Sequence, residues 1–475
     1  MKIKGIYVGL CLFTGMIFNA CKTLDTNLSI QKKTLPPSFY KVSDSSEISK
    51  INWRDYFNDP ILSGLIDTAL VNNHDLNIAI QKIEIARAGV TNAKASLIPQ
   101  VNAGTNGGIR RFGRYTMDGA GNIATEMTPG RIVPINLPDI FLGFQASWEI
   151  DLWKKLKSKQ KSAINQFLAS AEGAKGVTAS LVSDIATSYY ELLALDHELE
   201  IIQQTIQRQK DALETIKLKK ETGRTNELAV QQFQAQLLNT QAIEKELLQQ
   251  IVEFENRINF LLGRFPQKVE RVKEILLADV PSQIKTGLPS QLLENRPDIR
   301  EAELLLEASK FDLKSAKAAF LPSMNLVAGL GFQAFKPEFL FLAPASITYQ
   351  ALGGLMTPLI NRNALKANFS YAKANQLSAM HHYQKSILTG YTEVMNQLSA
   401  LENLKNLHVL KKEQNSVLNT SVDMSTELFS TGRASYLEVL LAQQNSLQAK
   451  FELINVNKRQ HIAAVNLYKA LGGGW

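Results

Sequence analysis

The segment NAKASLIPQVNAG (residues 92–104) returns in altered form as SAKAAFLPSMNLVAG (residues 315–329). Pro99 aligns with Pro322 at an offset of 223 residues (322 minus 99). At that offset Ala93, Lys94, Ala95 and Asn102 fall on Ala316, Lys317, Ala318 and Asn325. Internal similarity at a fixed offset is typical of a fold built from a duplicated unit. The chain is therefore predicted to contain one structural unit twice.

A second pair of segments supports the duplication. ETGRTNELAVQQFQAQL (221–237) matches STGRASYLEVLLAQQNSL (430–447) at an offset of 209 residues (432 minus 223), and LLGR (261–264) matches ALGG (470–473) at the same offset. The offset falls because the first half contains extra residues at about 105–139, which are rich in Gly and Pro and are predicted to form a long loop. Each half then reads as helix, strand, loop, strand, long helical region, turn and helix.

These matches divide the 475-residue chain into segments. A signal peptide is predicted at 1–20, an N-terminal extended segment at 21–60, the first repeat at 61–263, a linker at 264–290 and the second repeat at 291–472. The first repeat has strands at about 98–113 and 140–152 and a hairpin tip at 222–225. The second has strands at about 322–335 and 346–358 and a tip at 431–434.

The strands are recognised by a period of two residues. Every second residue is apolar from Met324 to Phe332 and again from Leu142 to Leu152. This pattern fits a β-sandwich as well as a membrane barrel with lipid outside and water within. Four strands per chain leave no second sheet to cover the apolar face, and a barrel needs at least about eight strands because open edges are not tolerated in a bilayer. Three chains are therefore predicted to form a twelve-stranded barrel.

Two helical regions are too long for a compact domain. Residues 155–221 contain no proline and repeat apolar residues every three or four positions, which predicts a continuous helix of roughly 100 Å. The pattern turns at 222–224 and runs back to Gly263, and the second half repeats this plan. The predicted fold class is mainly α with a transmembrane β part, in which long antiparallel coiled-coil hairpins join the barrel strands. A fibrous or adaptor-like coiled coil would show the same helices.

The N-terminus resembles the signal of a bacterial lipoprotein. Lys2 and Lys4 precede an uncharged apolar stretch that is too short for a transmembrane helix, and Ala20 stands directly before Cys21. Cys21 is the expected lipidation site, although an ordinary buried cysteine is the alternative. Because Cys11 lies inside the signal, the mature chain would keep one cysteine and no intramolecular disulfide. No cofactor is expected apart from the diacylglycerol and acyl chain on Cys21.

Other chemistry finds little support in the sequence. The net charge of +8 comes with no basic run interleaved with aromatic residues, which argues against nucleic-acid binding. Ser158 and Lys161 match a Ser-x-x-Lys pattern, and Lys285 begins a Lys-Thr-Gly triplet, but no Ser-Asp-Asn lies between them. His381 and His382 are adjacent and have no further His or Cys at metal-ligand spacing. The protein is predicted to be neither an enzyme nor a metal-site protein.

The segment LLENRPDIREAE (Leu292–Glu303) stands at the start of the second repeat. It resembles the signature of the TolC family of outer-membrane factors, in particular the OprM/NodT-type lipoprotein branch, and Arg296, Pro297 and Asp298 carry the resemblance. The family implies a homotrimer with a twelve-stranded barrel in the outer membrane of a Gram-negative bacterium, joined to a helical periplasmic tunnel. It also implies an efflux duct that works with a periplasmic adaptor and an inner-membrane transporter, expected to be of the RND (resistance–nodulation–division) type.

The resemblance also implies functional positions at the two hairpin tips. Gly223, Arg224, Gly432 and Arg433 are expected to meet the adaptor. Family members often have acidic residues six and nine positions after the second tip glycine, which are Glu438 and Leu441 here. Glu438 is therefore expected at a periplasmic gate, whereas Leu441 departs from a second carboxylate ring. A solvated helix acid is the alternative for Glu438.

Two other functions stay open at this point. A type I protein secretion duct has the same architecture as an efflux duct, and a coiled-coil surface lipoprotein could bind partners without forming a channel. A test of pore formation in lipid bilayers distinguishes the two ducts, which should conduct, from the surface lipoprotein, which should not. The exported substrate is expected to be chosen by the inner-membrane partner.

Overall fold

The structure is a computed structural model that describes residues 36, 38–39, 51–278, 287, 289–360 and 362–475. The predicted signal peptide and Cys21 lie outside these residues, as does most of the predicted N-terminal segment. Part of the predicted linker at 264–290 is also outside them, including Lys285.

The described helices follow the duplicated plan. They are α1 (Trp53–Phe57), α2 (Pro60–Asn72), α3 (His74–Ala95), α4 (Met117–Ala124), α5 (Lys155–Glu221), α6 (Glu227–Leu261), α7 (Leu292–Asn295), α8 (Pro297–Ala318), α9 (Asn363–Ser430) and α10 (Tyr436–Ala470). Short 3₁₀ turns cover Lys273–Leu277, Pro289–Gln291 and Pro337–Phe339. The long helices α5 and α9 have 67 and 68 residues and return through α6 and α10, which have 35 each.

The chain forms two compact units, and each contains residues from both repeats. The strand unit comprises residues 86–167 and 305–380 of the described chain, and the helical unit comprises described residues of 33–85, 168–304 and 381–475. The helical unit holds the main apolar core, in which Ile185, Tyr189 and Leu192 of α5 are fully buried. Ile66 of α2 and Ile258 of α6 belong to the same cluster.

The main sheet has four antiparallel strands in the order β1–β4–β5–β6. They are β1 (Gln100–Arg111), β4 (Asn136–Ile150), β5 (Ser323–Ala334) and β6 (Ile347–Met356), while β2 (Glu126–Thr128) and β3 (Arg131–Ile132) form a separate hairpin. Strands from the two repeats meet at the centre, where β4 pairs with β5. The outer edges of β1 and β6 have no strand partner among the described residues, as expected for strands that continue a barrel in a neighbouring chain.

The register places the apolar residues of neighbouring strands on one face. Leu142 faces Phe332, Phe144 faces Leu330, and Trp148 faces Leu326 across the β4–β5 ladder. Phe144 and Leu330 are exposed even so. The opposite face is small and polar, with Gln145 opposite Gly329 and Glu149 opposite Asn325. A sheet with one bare apolar face and one polar face suits a barrel wall between lipid and water.

A glycine pair at the centre of the sheet accommodates an aromatic ring. Gly143 pairs with Gly331 in the ladder. A Cβ atom added to Gly143 would lie 2.4 Å from the Leu330 carbonyl oxygen, and one added to Gly331 would lie 2.4 Å from that of Leu142. Either would also lie 2.9 Å from the ring of Phe141, which belongs to the polar face. The ring therefore covers backbone that no side chain would otherwise protect.

The prediction of a loop over 105–139 is wrong in part. β1 continues to Arg111, β4 begins at Asn136, and the segment between them contains α4, β2 and β3. The glycines that suggested a loop are paired in the ladder, Gly107 with Ile140 and Gly108 with Asp139. Ladder hydrogen bonds use only backbone groups, so glycine can occupy a strand at the cost of side-chain packing.

None of the helices in the described part of the chain is long and apolar enough to span a bilayer.

Candidate functional site

Both hairpin tips end their first helix with the same turn. Gly223 follows α5 with φ of +69°, and Gly432 follows α9 with φ of +73°. The next residue in each turn donates its N–H five residues back, Arg224 to the Lys219 carbonyl and Arg433 to the Leu428 carbonyl, both at 2.8 Å. This is the Schellman arrangement, which requires a left-handed residue and therefore favours glycine.

The tips present the predicted arginines to solvent. Arg224 and Arg433 are both exposed. A Cβ atom on Gly223 or Gly432 would meet no atom within 4 Å, so the turns are uncrowded. The Lys219 ammonium lies 4.0 Å from the centre of the Phe429 ring, which links the two hairpins near their tips. The four tip residues thus lie on open turns within the helical unit.

Glu438 has a defined local role at the start of α10. Its N–H donates to Ser435 Oγ at 3.4 Å, and its carboxylate accepts from the Ser435 N–H at 2.7 Å. This reciprocal pair is a capping box, and the Ser-x-x-Glu spacing is its sequence signal. This capping role is distinct from the two predicted for Glu438, a gate residue and a solvated helix acid. In the first repeat Asn226 caps α6 by accepting from the Ala229 N–H at 3.0 Å, and Ala229 offers no reciprocal acceptor.

Glu438 also lines a surface cavity of about 560 Å³ with Arg433. The cavity is also lined by a stripe of α9 that combines hydroxyl and apolar side chains: Ser416, Val417, Thr420, Ser421, Met424, Ser425 and Leu428. A carboxylate, a guanidinium and several hydroxyls therefore lie around one opening beside the second tip. The first four α10 N–H groups add a positive helix end beside the Glu438 carboxylate.

The far ends of the two hairpins are closed by a second pair of glycines. Gly263 has φ of +66° and Gly472 has φ of +96°. Unlike the tip glycines they are crowded: a Cβ atom on Gly263 would lie 2.4 Å from the Asn72 carbonyl oxygen, and one on Gly472 would lie 2.6 Å from that of Asn295. The end of α6 therefore touches the backbone just before α3, and the end of α10 touches the backbone just before α8.

The signature arginine belongs to this closure. Arg296 Nη1 donates to the Ala470 carbonyl at 2.9 Å, and at the corresponding place in the first repeat Asn73 Nδ2 donates to the Leu261 carbonyl at 2.9 Å. Asn73 and Arg296 are related by the offset of 223, and Leu261 and Ala470 by the offset of 209. Each repeat thus binds the end of its hairpin with one donor, and the sequence alignment alone did not reveal this pairing.

Arg296 makes further contacts that Asn73 lacks. Its guanidinium is bidentate to Asp298 at 3.0 and 2.8 Å and reaches Glu393 at 2.7 Å. Burial alone lowers the pKa of Arg296, but the hydrogen bonds and charges of Asp298 and Glu393 raise it above its ordinary value. Pro297 begins α8, where its missing N–H costs nothing. The signature Arg-Pro-Asp therefore has a structural explanation in the helical unit.

The adjacent histidines lie in α9, and His382 is near the Glu301 carboxyl. Burial raises the pKa of the Glu301 carboxyl, and the proximity of His382 opposes that shift. Across the described residues, no three His, Cys, Asp or Glu side chains are grouped closely enough to hold a metal ion. Ser158 is buried in α5, and the Lys161 ammonium lies 5.4 Å from the centre of the Phe311 ring.

Comparison with known proteins places this geometry in a family. The sequence model described as "Outer membrane efflux protein" matches residues 65–264 and 288–473. The probable outer membrane lipoprotein SilC of Salmonella typhimurium is 27% identical over 94% of this chain and 92% of its own length. The toluene efflux pump outer membrane protein TtgC of Pseudomonas putida is 28% identical over 92% and 88%. The CmeC outer membrane channel of Campylobacter jejuni has the same fold, with a TM-score of 0.82, 23% identity and 94% of each chain covered.

These findings confirm the predicted fold class, a trimeric barrel with a helical tunnel, and the predicted location in the outer membrane. They also confirm the function as an exit channel for efflux. The family model covers both repeats, so the likeness is not confined to one segment. The chain belongs to the outer membrane efflux protein family.

Proposed function

We propose that this efflux channel exports small molecules selected by its inner-membrane partner. Relatives of nearly equal similarity carry names that specify different cargo, among them cation efflux for CusC and toluene efflux for TtgC. A duct shared by such pumps need not recognise its cargo. The observation that carries the channel function is the four-stranded sheet, which has a bare apolar face and two edges without a strand partner among the described residues.

The partners follow from this role. We propose that a periplasmic adaptor meets the tips at Gly223, Arg224, Gly432 and Arg433, and that the transporter is of the RND type. The open Schellman turns and the exposed arginines support the tip assignment, because an arginine presents several fixed donors to a partner. Co-purification is the check, and recovery of the trimer with a different transporter class would contradict the RND assignment.

We further propose that Glu438 contributes a carboxylate ring at the periplasmic gate, in addition to its capping contact. In bilayer recordings of the trimer, Glu438→Gln is expected to lower the preference for K⁺ over Cl⁻ by roughly twofold or more. The glutamine amide oxygen can still accept from the Ser435 N–H, so the helix start should persist.

Ser435→Ala is the matched control for Glu438→Gln. It removes the hydroxyl of the capping box and keeps the carboxylate, so ion preference should not change. If Glu438→Gln conducts with wild-type selectivity, the carboxylate serves only as a cap. If purified wild-type trimer never conducts, the channel function itself is contradicted.

Lipidation at Cys21 is a separate proposal, supported by the signal that precedes it. Cells fed labelled palmitate should label the wild type and the Cys11→Ser variant, because Cys11 leaves with the signal. Cys21→Ser should carry no label. Equal labelling of Cys21→Ser and wild type would contradict the proposal.

We also propose that the chain acts without catalysis. The contact of Lys161 with the Phe311 ring, rather than with Ser158, supports this reading of the Ser-x-x-Lys match. Hydrolysis of a penicillin-type substrate that is lost in Ser158→Ala would contradict it.

A further inference from the structure

Positive charge is concentrated where the strands of the main sheet meet the helices. We counted charges in the thirteen residues that precede β1 and β5 and in the thirteen that follow β4 and β6. These segments are 87–99, 310–322, 151–163 and 357–369. Together they hold twelve Lys and Arg but only two Asp and Glu, a net charge of +10, whereas the whole chain has +8. All other residues combined are therefore slightly acidic.

The register brings these four junctions together at one end of the strands. Gln100 pairs with Ser147, Met324 with Ile150, and Ser323 with Met356, so all four strands end within a few residues of each other. Six cations lie within seven residues of those ends, and we call them the basic collar: Lys94, Lys154, Lys155, Lys157, Lys317 and Arg362. Every junction contributes at least one.

The duplicated segment supplies the most regular part of the basic collar. Lys94 and Lys317 are repeat-related, and each stands one residue before the end of its helix, α3 or α8. Both are exposed, as is Lys157. Lys155 forms an ion pair with Glu149, whereas Lys94, Lys157 and Lys317 form none with any residue that the structure describes. Their charges are available to an outside partner.

Exposed apolar and aromatic side chains lie at the same level. Leu359 and Ile360 follow β6 and are 82% and 91% exposed. The Trp153 indole donates to the Pro322 carbonyl at 2.7 Å and leaves about half its surface bare, and Ile98 beside Pro99 is also exposed. Bare Leu, Ile and Trp side chains among lysines are typical of the boundary between hydrocarbon and headgroups. They would be out of place on the wall of an aqueous duct.

We propose that the basic collar binds the anionic headgroups of phospholipids in the periplasmic leaflet of the outer membrane. The inference rests on the membrane location of the barrel and goes beyond the channel function. A lysine near a bilayer keeps its carbon chain along apolar surface and extends its ammonium to the phosphate level. Attraction to an anionic leaflet then adds with each cation. The partner is a phosphodiester lipid such as phosphatidylglycerol.

The test compares two triple variants of the full trimer. Lys94→Gln, Lys157→Gln and Lys317→Gln remove three cations of the basic collar. Lys210→Gln, Lys405→Gln and Lys412→Gln remove three exposed lysines of α5 and α9 in the helical unit. Each trimer is placed in bilayer nanodiscs of equal phosphatidylglycerol and phosphatidylcholine, and retained lipids are counted by native mass spectrometry.

The wild type and the α5/α9 variant should retain phosphatidylglycerol preferentially. The collar variant should lose this preference by a factor on the order of ten or more. Added salt should weaken the wild-type preference, while millimolar inorganic phosphate should not displace the lipid. If the collar triple variant does not assemble, Lys94→Gln and Lys317→Gln are measured singly. Each should reduce the preference for phosphatidylglycerol a few-fold.

Three results would overturn the proposal. One is an unchanged lipid preference in the collar variant or in both single variants. A second is displacement of phosphatidylglycerol by inorganic phosphate at equal concentration, which would indicate a site for the free ion. The third is a loss of anion permeability in bilayer recordings without a change in retained lipid, which would place the lysines inside the duct.

Discussion

Gly263→Ala is expected to destabilise the helical unit by about 3 kcal/mol or more, whereas Gly223→Ala should cost only about 1 kcal/mol. The two glycines have nearly the same backbone, with φ of +66° and +69°, so the left-handed strain of an alanine is equal at both. They differ in surroundings, because a Cβ atom at Gly263 would lie 2.4 Å from the Asn72 carbonyl oxygen and one at Gly223 would meet nothing within 4 Å. The difference between the variants therefore isolates the contact from the strain.

The second repeat provides an independent copy of this experiment. Gly472→Ala should behave like Gly263→Ala, and Gly432→Ala like Gly223→Ala, because Gly472 is crowded by the Asn295 carbonyl while Gly432 is open. The measurement is the midpoint of thermal loss of helical circular dichroism at fixed protein and detergent concentrations. Equal shifts for Gly263→Ala and Gly223→Ala would show that the backbone before α3 moves freely and that the closure is not rigid.

Arg296→Met is expected to lower the free energy of unfolding by about 3 kcal/mol. The variant leaves the buried Ala470 carbonyl without its donor. It also removes the cation that the carboxylates of Asp298 and Glu393 share. Those carboxylates are 46% and 47% exposed, so water screens their repulsion and keeps the expected cost below that of a fully buried pair. Arg296→Lys keeps the charge but cannot reach three acceptors at once, so it should recover only part of the loss.

Arg300→Met is the control for Arg296→Met. Arg300 pairs with Glu303 one turn along α8, and both side chains are about 40% exposed. Surface pairs of this kind contribute at most about 1 kcal/mol. If Arg296→Met and Arg300→Met shift the unfolding midpoint equally, the network around Arg296 is not a closure, and the signature Arg-Pro-Asp needs another explanation.

The parts of the fold that could be predicted are those with a strong local period. The absence of proline and the apolar spacing over 155–221 predict one helix, and α5 occupies Lys155–Glu221. The glycine after each long helix predicts a turn because few other residues adopt positive φ, and Gly223 and Gly432 have it. The alternation in Leu142–Ile150 predicts a strand, and the β4–β5 register then follows from matching apolar faces.

The parts that could not be predicted depend on contacts distant in sequence. Gly107 and Gly108 fall both in the strand predicted at about 98–113 and in the loop predicted at about 105–139, and only the pairing with β4 decides that they belong to β1. The pairing of Arg296 with Ala470 joins residues 174 positions apart, and no local pattern encodes it. The basic collar is also not visible in any local sequence pattern. Its six cations come from four separate segments, and the sheet register brings these segments to the same end of the strands.

The pairing of Asn73 with Leu261 and of Arg296 with Ala470 has a consequence for the symmetry of the assembled channel. Three chains with two repeats each provide six helical hairpins, which are equivalent in outline. At this level, however, a neutral amide closes every first hairpin and an ion-paired guanidinium closes every second one. The ring is therefore threefold rather than sixfold. The contact of Arg296 with its two carboxylates should weaken as ionic strength rises, whereas the neutral contact of the Asn73 amide with the Leu261 carbonyl should not.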